Sequence, residues 1–356
     1  MNKIGFHTGP GGNPTGIGEY FRRLDEAGQR FVIKTVDHAG YVYEAQQYTN
    51  ADHVMVYRKS GAGYDVPDYS LSPYAAAQQH WDRHYSARPQ ELDFSRVWME
   101  TTNEPDKNRA EWLADFAYHT ALLAVRDNVK YLAFGWSAGE PEPEHWDSAE
   151  MRRFLLFAQE FPSLIGVALH EYAFGDSLQP AYNHLIGRFM WLYNLCYSWN
   201  IRPPTTVITE FGWNAFSAPD ASAVMPQIVW AQEEVYGLFP SLLGAAIWYL
   251  GEGYDNICNT VQRYIAPVTD YALQLPVGVQ PPGTQPPTPP VVPILDKYVY
   301  VVPDIRWLNL RAEPDITATD VGDLHPGGGP LRVIGEKGDW WQVAAWAHKD
   351  YLEEKK

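Results

Sequence analysis

Residues 151–170, MRRFLLFAQEFPSLIGVALH, change rhythm halfway along. Met151, Phe154, Leu155 and Ala158 fall at i, i+3, i+4 and i+7, the spacing that gathers apolar side chains on one face of a helix. After a short FPS connection, residues 165–170 form an apolar run of strand length. Outward from this pair the same unit recurs. Leu113, Phe116, Ala117 and Thr120 repeat the helical spacing ahead of a strand-like run at 131–134. Eight such runs are legible, at 4–7, 31–36, 53–57, 96–100, 131–134, 165–170, 205–209 and 243–248. Eight βα units in about 270 residues predict a (β/α)₈ TIM barrel, whereas a doubly wound sheet has fewer units and a glycine fingerprint after its first strand. The glycine-rich stretch GPGGNPTGIG at 9–18 lacks both the GxGxxG spacing and a P-loop lysine, so it reads as a flexible βα loop.

The alternation stops at LPVGVQPPGTQPPTPPVVP, residues 275–293, which has eight prolines and no charge. Such a composition favours an extended polyproline-II spacer. It separates a barrel at 1–274 from a second domain at 294–356. The second domain holds short β-type runs in LNLRAEP (308–314), LRVIGEKGDWWQV (331–343) and WAHKDYL (346–352), which predict a small all-β barrel.

Composition narrows the function classes. A formal net charge of −16 repels phosphate backbones and anionic headgroups, so neither nucleic acid nor membrane is expected as a partner. No apolar run approaches the ~18 residues of a membrane span. Cys196 and Cys258 give no disulfide framework and no ligand spacing, and they read as buried thiols. No metal and no cofactor is implied. Fourteen Trp and 23 Tyr exceed what a core of this size needs, and flat aromatic rings suit a sugar cleft.

Barrel chemistry sits where strands give way to loops. Read off the eight runs, those positions are His7, Lys34, Asp37, Arg58, Asn103, Glu104, Trp136, His170, Tyr172, Glu210, Trp213, Trp248 and Glu252. Lys34 inside a barrel needs a carboxylate partner or a Schiff-base role, and pairing is the simpler reading. Glu171 alternates away from His170 and Tyr172, toward the helices. Glu104 and Glu210 stand where strands four and seven give way to their loops, and two such carboxyls can supply what cleaving a glycosidic bond takes, one to donate a proton and one, ionised, to face the anomeric carbon. With the two close together, like-charge repulsion is expected to keep Glu104 protonated.

The fourth run ends in VWMETTNEPD (97–106) and the seventh in TVITEFGW (206–213). These resemble the clan A glycoside hydrolases, where ExxNEP closes strand four with the acid/base glutamate and a glutamate near the end of strand seven is the nucleophile. The resemblance implies Glu104 as acid/base, Glu210 as nucleophile, Glu100 as the first position of ExxNEP and Asn103 on the sugar 2-hydroxyl. HEYAF (170–174) resembles the clan's His-x-Tyr, which implies His170 in the cleft and Tyr172 beside the nucleophile. Trp248 resembles the tryptophan that floors the sugar site, and His7, Trp136 and Trp213 complete the expected substrate-binding set. The implied reaction is retaining hydrolysis, endo-acting, on a β-linked polysaccharide. Residues 294–356 resemble the bacterial SH3-like domain, although Ala345 precedes Trp346 where that family has glycine. This implies a bacterial cell-wall ligand, with Trp340, Trp341 and Tyr351 as candidate contacts. An extracellular or wall-associated site of action follows, although no signal peptide is visible in this chain. The alternatives are a non-catalytic carbohydrate- or wall-binding barrel, and a lysin directed at peptidoglycan.

Overall fold

The computed structural model describes residues 1–214, 217–254 and 256–277, together with Thr317 and the C-terminal strands given below. The chain has two compact units, Met1–Gln280 and Pro281–Lys356. Of the proline-rich stretch, residues 278–293 lie outside the described residues.

In the first unit eight parallel strands close into a barrel in chain order. They are β1 (Ile4–Thr8), β2 (Val32–Val36), β3 (Val54–Arg58), β4 (Trp98–Glu100), β5 (Lys130–Trp136), β6 (Ile165–Tyr172), β7 (Thr205–Gly212) and β8 (Leu242–Ile247). Between and after them run α1 (Ile17–Glu26), α2 (Gly40–Ala45), α3 (Pro73–Ala87), α4 (Ala110–Arg126), α5 (Pro143–Trp146), α6 (Ala149–Glu160), α7 (Phe189–Ser198), α8 (Ala221–Trp230), α9 (Ile257–Gln262) and α10 (Ile265–Ala272). The chain is a TIM barrel followed by a small β domain.

The barrel has two cores because strand side chains alternate. Val32, Val54, Val56, Trp98, Leu132, Ala168 and Val207 fill the interior, and the larger cluster lies between strands and helices. The helical spacing read at 151–158 is borne out: Met151, Phe154, Leu155 and Ala158 are the buried face of α6, and Ser148 caps it by accepting from the Met151 N–H. Gly5 leaves room for the neighbouring strand, since a Cβ there would stand 1.9 Å from the Val32 carbonyl oxygen.

Two strands differ from the expected runs in ways that matter for the site. Register shifts between Phe134 and Trp136 on β5, where Phe134 and Gly135 both have positive φ (78° and 63°). It shifts again where β6 meets β7, because Leu169 pairs with Ile208 but His170 pairs with Glu210. Each is a bulge that re-aims the side chains beyond it.

The glycine-rich loop after β1 is pinned rather than flexible. The Asn13 N–H donates to the Leu250 carbonyl (2.9 Å) and the Glu252 N–H to the Pro10 carbonyl (3.0 Å). Gly11 and Gly12 take left-handed φ of 61° and 72°, and a Cβ on Gly12 would lie 2.1 Å from the Leu250 carbonyl oxygen. Glycine is used here for close approach to the loop after β8. Cys196 is buried and Cys258 half-buried, and both thiols are free.

In the second unit one sheet has the order β11-β10-β15-β14-β13 and another β12-β9-β16. The strands are β9 (Tyr298–Val301), β10 (Leu308–Arg311), β11 (Asp320–Leu324), β12 (Leu331–Arg332), β13 (Gly335–Lys337), β14 (Trp340–Gln342), β15 (Trp346–His348) and β16 (Leu352–Glu354). Of the candidate contacts, Trp340 and Trp341 begin β14, while Tyr351 lies outside the described residues, as does Ala345.

Candidate active site

Glu100 ends the short strand β4 fully buried, with Oε2 2.7 Å from Lys34 Nζ on β2. Its Oε1 accepts a hydrogen bond from Thr209 Oγ1 at 2.7 Å. Burial alone would raise this carboxyl, but Lys34, His170 and Arg58 hold it well below the carboxylate range. Lys34 Nζ also stands 3.2 Å from Glu210 Oε1, so the lysine is wedged between two carboxylates. That is the pairing its place in the barrel required. Losing one partner from such a buried cluster typically costs about 3–5 kcal/mol, because the remaining charge has no compensation.

The bulge between β6 and β7 lets Thr209 and Glu210, adjacent in sequence, both reach the cleft. Tyr172 Oη donates to Glu210 Oε2 at 2.8 Å, and Arg58 Nη2 lies 3.7 Å from Oε1. Burial opposes the charge on Glu210, yet His170, Lys34 and Arg58 hold its carboxyl well below 4.5. Tyr172 is itself raised by burial and by Glu210, so it stays a donor. His7 stands with Nδ1 4.0 Å from Glu210 Oε1, but burial and Lys34 keep the imidazole neutral, so this is no ion pair. Among the described residues neither ring nitrogen of His7 has a hydrogen-bond partner.

Glu104 comes from the loop after β4 rather than from the strand. It takes a left-handed φ of 45°, and its N–H donates to the Gly135 carbonyl at 2.8 Å. The side chain is half-exposed, and Oε1 meets His170 Nδ1 at 3.2 Å and Ser137 Oγ at 3.1 Å. The expectation that repulsion keeps Glu104 protonated is reversed. The His170 hydrogen bond is the largest influence, and it lowers this carboxyl against burial and the nearby Glu210. His170 changes in the complementary sense. Burial would lower it, but Glu210, Glu100 and Glu104 raise it above 6.5. The two shifts are complementary: the Glu104–His170 contact favours the carboxylate on one side and the charged imidazole on the other.

Asn103 lies next to this pair, its N–H donating to the Asp65 carbonyl (2.7 Å) and its buried Oδ1 without a partner among the described residues. Trp248 is half-buried, with Tyr172 at 6.0 Å edge-on, Tyr249 stacked at 5.2 Å and Tyr254 at 4.5 Å between ring centroids. Tyr254 is 45% exposed, so this aromatic corner is open to a ligand.

Trp136 and Trp213 are placed elsewhere. Beyond the β5 bulge, Trp136 is fully buried, stacked on Phe134 and edge-on to Trp146. Trp213 follows Glu210 by three residues, so it points to the helix side. Its Nε1 donates to Gln227 at 2.9 Å, and it packs on Tyr264. Ser137, Thr209, Tyr249 and Tyr254 belong to the site without having been singled out from the sequence. Ser137 directly follows β5, a position that could have flagged it, but Thr209 depends on a bulge and Tyr254 on a loop.

Among the described residues no group of three or more His, Cys, Asp and Glu is arranged to hold a metal ion. No helix among them is long and apolar enough to cross a membrane.

Residues 308–353 match the bacterial SH3 domain family. No curated protein matches the chain in sequence. Solved structures similar to it include a family 39 glycoside hydrolase from Bacteroides cellulosilyticus WH2, at 13% identity and a TM-score of 0.47, covering 76% of this chain and 63% of that one. This chain thus spans slightly under two thirds of that relative. Another is an endo-β-1,4-glucanase from Xanthomonas axonopodis pv. citri, at 13% identity and a TM-score of 0.47, covering 77% and 100%. A third is a monomeric β-xylosidase from Caulobacter crescentus CB15, at 12% identity and a TM-score of 0.38, covering 69% and 59%.

Proposed function

We propose that the barrel is a retaining glycoside hydrolase, endo-acting on a β-linked polysaccharide, with Glu210 as nucleophile and Glu104 as acid/base. The observation that carries this reading is that both carboxylates contact one atom, His170 Nδ1, at 3.2 and 3.7 Å, which bounds those two oxygens at about 7 Å apart. Retaining pairs stand about 5–5.5 Å apart and inverting pairs about 6.5–9.5 Å. A buried Glu210, ionised and held in one rotamer by Tyr172, favours direct attack over activation of a water.

In the first step a Glu210 oxygen bonds to the anomeric carbon as the glycosidic bond breaks, and the leaving oxygen takes a proton from Glu104. The free site stores that proton in the His170–Glu104 hydrogen bond, and its transfer to Glu104 precedes cleavage. In the second step a water gives its proton to Glu104 and its oxygen to the anomeric carbon, releasing Glu210. In this reading Asn103 and His7 serve the sugar hydroxyls, and Trp248 with the exposed Tyr254 offers rings to a pyranose face.

Glu104→Gln and Glu210→Gln should each lower turnover by ~10²-fold or more. The assay is new reducing ends from β-glucans, mannans, galactans, xylans and peptidoglycan. A variant that keeps a tenth of wild-type activity marks its residue as misassigned. With azide, Glu210→Gly should yield an α-glycosyl azide and Glu104→Ala a β-glycosyl azide, which separates the roles. Glycan binding without any cleavage by the wild type would favour a non-catalytic barrel.

The match over residues 308–353 supports a second proposal: the SH3-like domain binds bacterial cell wall and keeps the barrel there, outside the cell. Tethering a catalytic domain to an anchored one raises its effective concentration at the anchoring surface.

A further inference from the structure

We infer that Arg188 is a positioning residue for Glu104, acting through the loop after β5; this rests on the assignment of Glu104 as acid/base. Among the described residues, His170 and Ser137 are the side chains within hydrogen-bond distance of the Glu104 carboxylate, and they differ in kind. His170 belongs to a strand. Ser137 begins the connection at 137–148, which includes α5 and must itself be held for Ser137 to hold anything.

Arg188 does that holding from the residue just before α7. It is 7% exposed, and its guanidinium lies 4.1 Å from the Trp191 ring centroid. One arm, Nη2, donates to the Pro141 carbonyl at 2.6 Å and meets Glu142 Oε2 at 3.3 Å. The other, Nη1, donates to the His184 carbonyl at 2.8 Å. A planar fork serves acceptors on two loops at once, which an ammonium cannot do. Glu142 then passes the constraint on. Its Oε1 stands 3.5 Å from Lys107 Nζ, which also pairs with Glu140 at 3.3 Å, and Lys107 is three residues beyond Glu104.

Arg188 is in turn clamped to the strand that carries His170. The Glu171 carboxylate accepts from the Gly187 N–H at 2.7 Å and the Phe189 N–H at 3.2 Å, one on each side of Arg188, and from Tyr236 Oη at 2.7 Å. A continuous path therefore runs from β6 through Arg188 to the loop bearing Ser137 and to the loop bearing Glu104.

A residue that positions an acid leaves a signature that general weakening of the fold does not. Proton donation matters when the leaving group is basic and hardly matters when it is not. Arg188→Met keeps length and contact with Trp191 but removes the fork. The probes are methylumbelliferyl and dinitrophenyl β-glycosides of cellobiose, mannobiose and xylobiose. For the pair that the wild type cleaves, kcat/KM should fall about 10-fold or more on the methylumbelliferyl compound and less than about 2-fold on the dinitrophenyl one. Equal losses on both, or no loss on either, overturn the inference. Lys107→Met, on the exposed rim, should show the same selectivity in smaller measure, and it carries the test if Arg188→Met does not fold. Amide exchange on the substrate-free chain is the second readout: segment 137–148 should exchange faster in Arg188→Met, and unchanged exchange there also overturns the inference. A wild type inert toward every probe and polymer removes the acid/base role of Glu104, and the inference with it. Unchanged exchange beside full wild-type activity removes the inference alone.

Discussion

His170 faces Glu100, Glu104 and Glu210 from a fully buried position, so its charge is coupled to each of these carboxyls. Two limbs of the pH profile follow. Glu210 must be ionised, so activity is lost as pH falls through its lowered value, and the acid limb of kcat/KM lies below 4.5. The stored proton must be present, so activity is lost as pH rises through His170, and the alkaline limb lies above 6.5. His170→Gln removes the imidazole's proton, and the alkaline limb should move down. An unmoved limb in a pH–rate measurement would place the proton on another group. The glutamates, Asn103, His170, Tyr172 and Trp248 were legible because each ends a strand or sits in a motif. Trp213 was legible in the opposite sense: counting alternation on from Glu210 sends it to the helix side, and a strand-end position alone misplaces it.

At the scale of elements, strand number and helix faces were legible because hydrophobic period and burial have the same cause. Bulges were not, because a one-residue register shift leaves no mark in composition. The β5 bulge turns Trp136 into the outer core, and the one where β6 meets β7 brings Thr209 and Glu210 together. Glu171 shows what a strand can do on its other face. Burial pushes its carboxyl from 4.5 up to about 7, against hydrogen bonds from Gly187, Tyr236 and Phe189. Between these two values the folded chain keeps a proton that the unfolded chain has released, so this group's contribution to stability falls as pH rises. The stability advantage of wild type over Glu171→Gln, from denaturant unfolding, should shrink across that window and be flat outside it. An advantage that grows with pH would mean that the ring of donors, rather than burial, governs the titration.

For the molecule as a whole, the division near residue 280 and the β-rich second unit followed from a run of prolines and short aromatic motifs. The identity of the sugar did not, since it resides in loop shape. Sedimentation with purified bacterial cell walls tests the wall proposal. The full chain should pellet and a chain ending at residue 274 should not. Equal behaviour of the two would end the targeting role and leave the glutamate chemistry as it stands. The barrel rim, finally, is fastened in two ways. Main-chain bonds join the loops after β1 and β8, where Asn13 meets Leu250 and Pro10 meets Glu252. On the other side, ion pairs of the partly exposed Lys107 with Glu140 and Glu142 help to join the loops after β4 and β5. Dissolved electrolyte reaches only the second kind, because the screening length contracts from about 8 Å at 0.15 M to about 3 Å at 1 M. Concentrated sodium chloride should therefore slow cleavage of poor leaving groups while trapping of Glu210 by an activated fluorosugar proceeds at its usual rate. The ionic medium around this chain then acts on the proton donor and passes the nucleophile by.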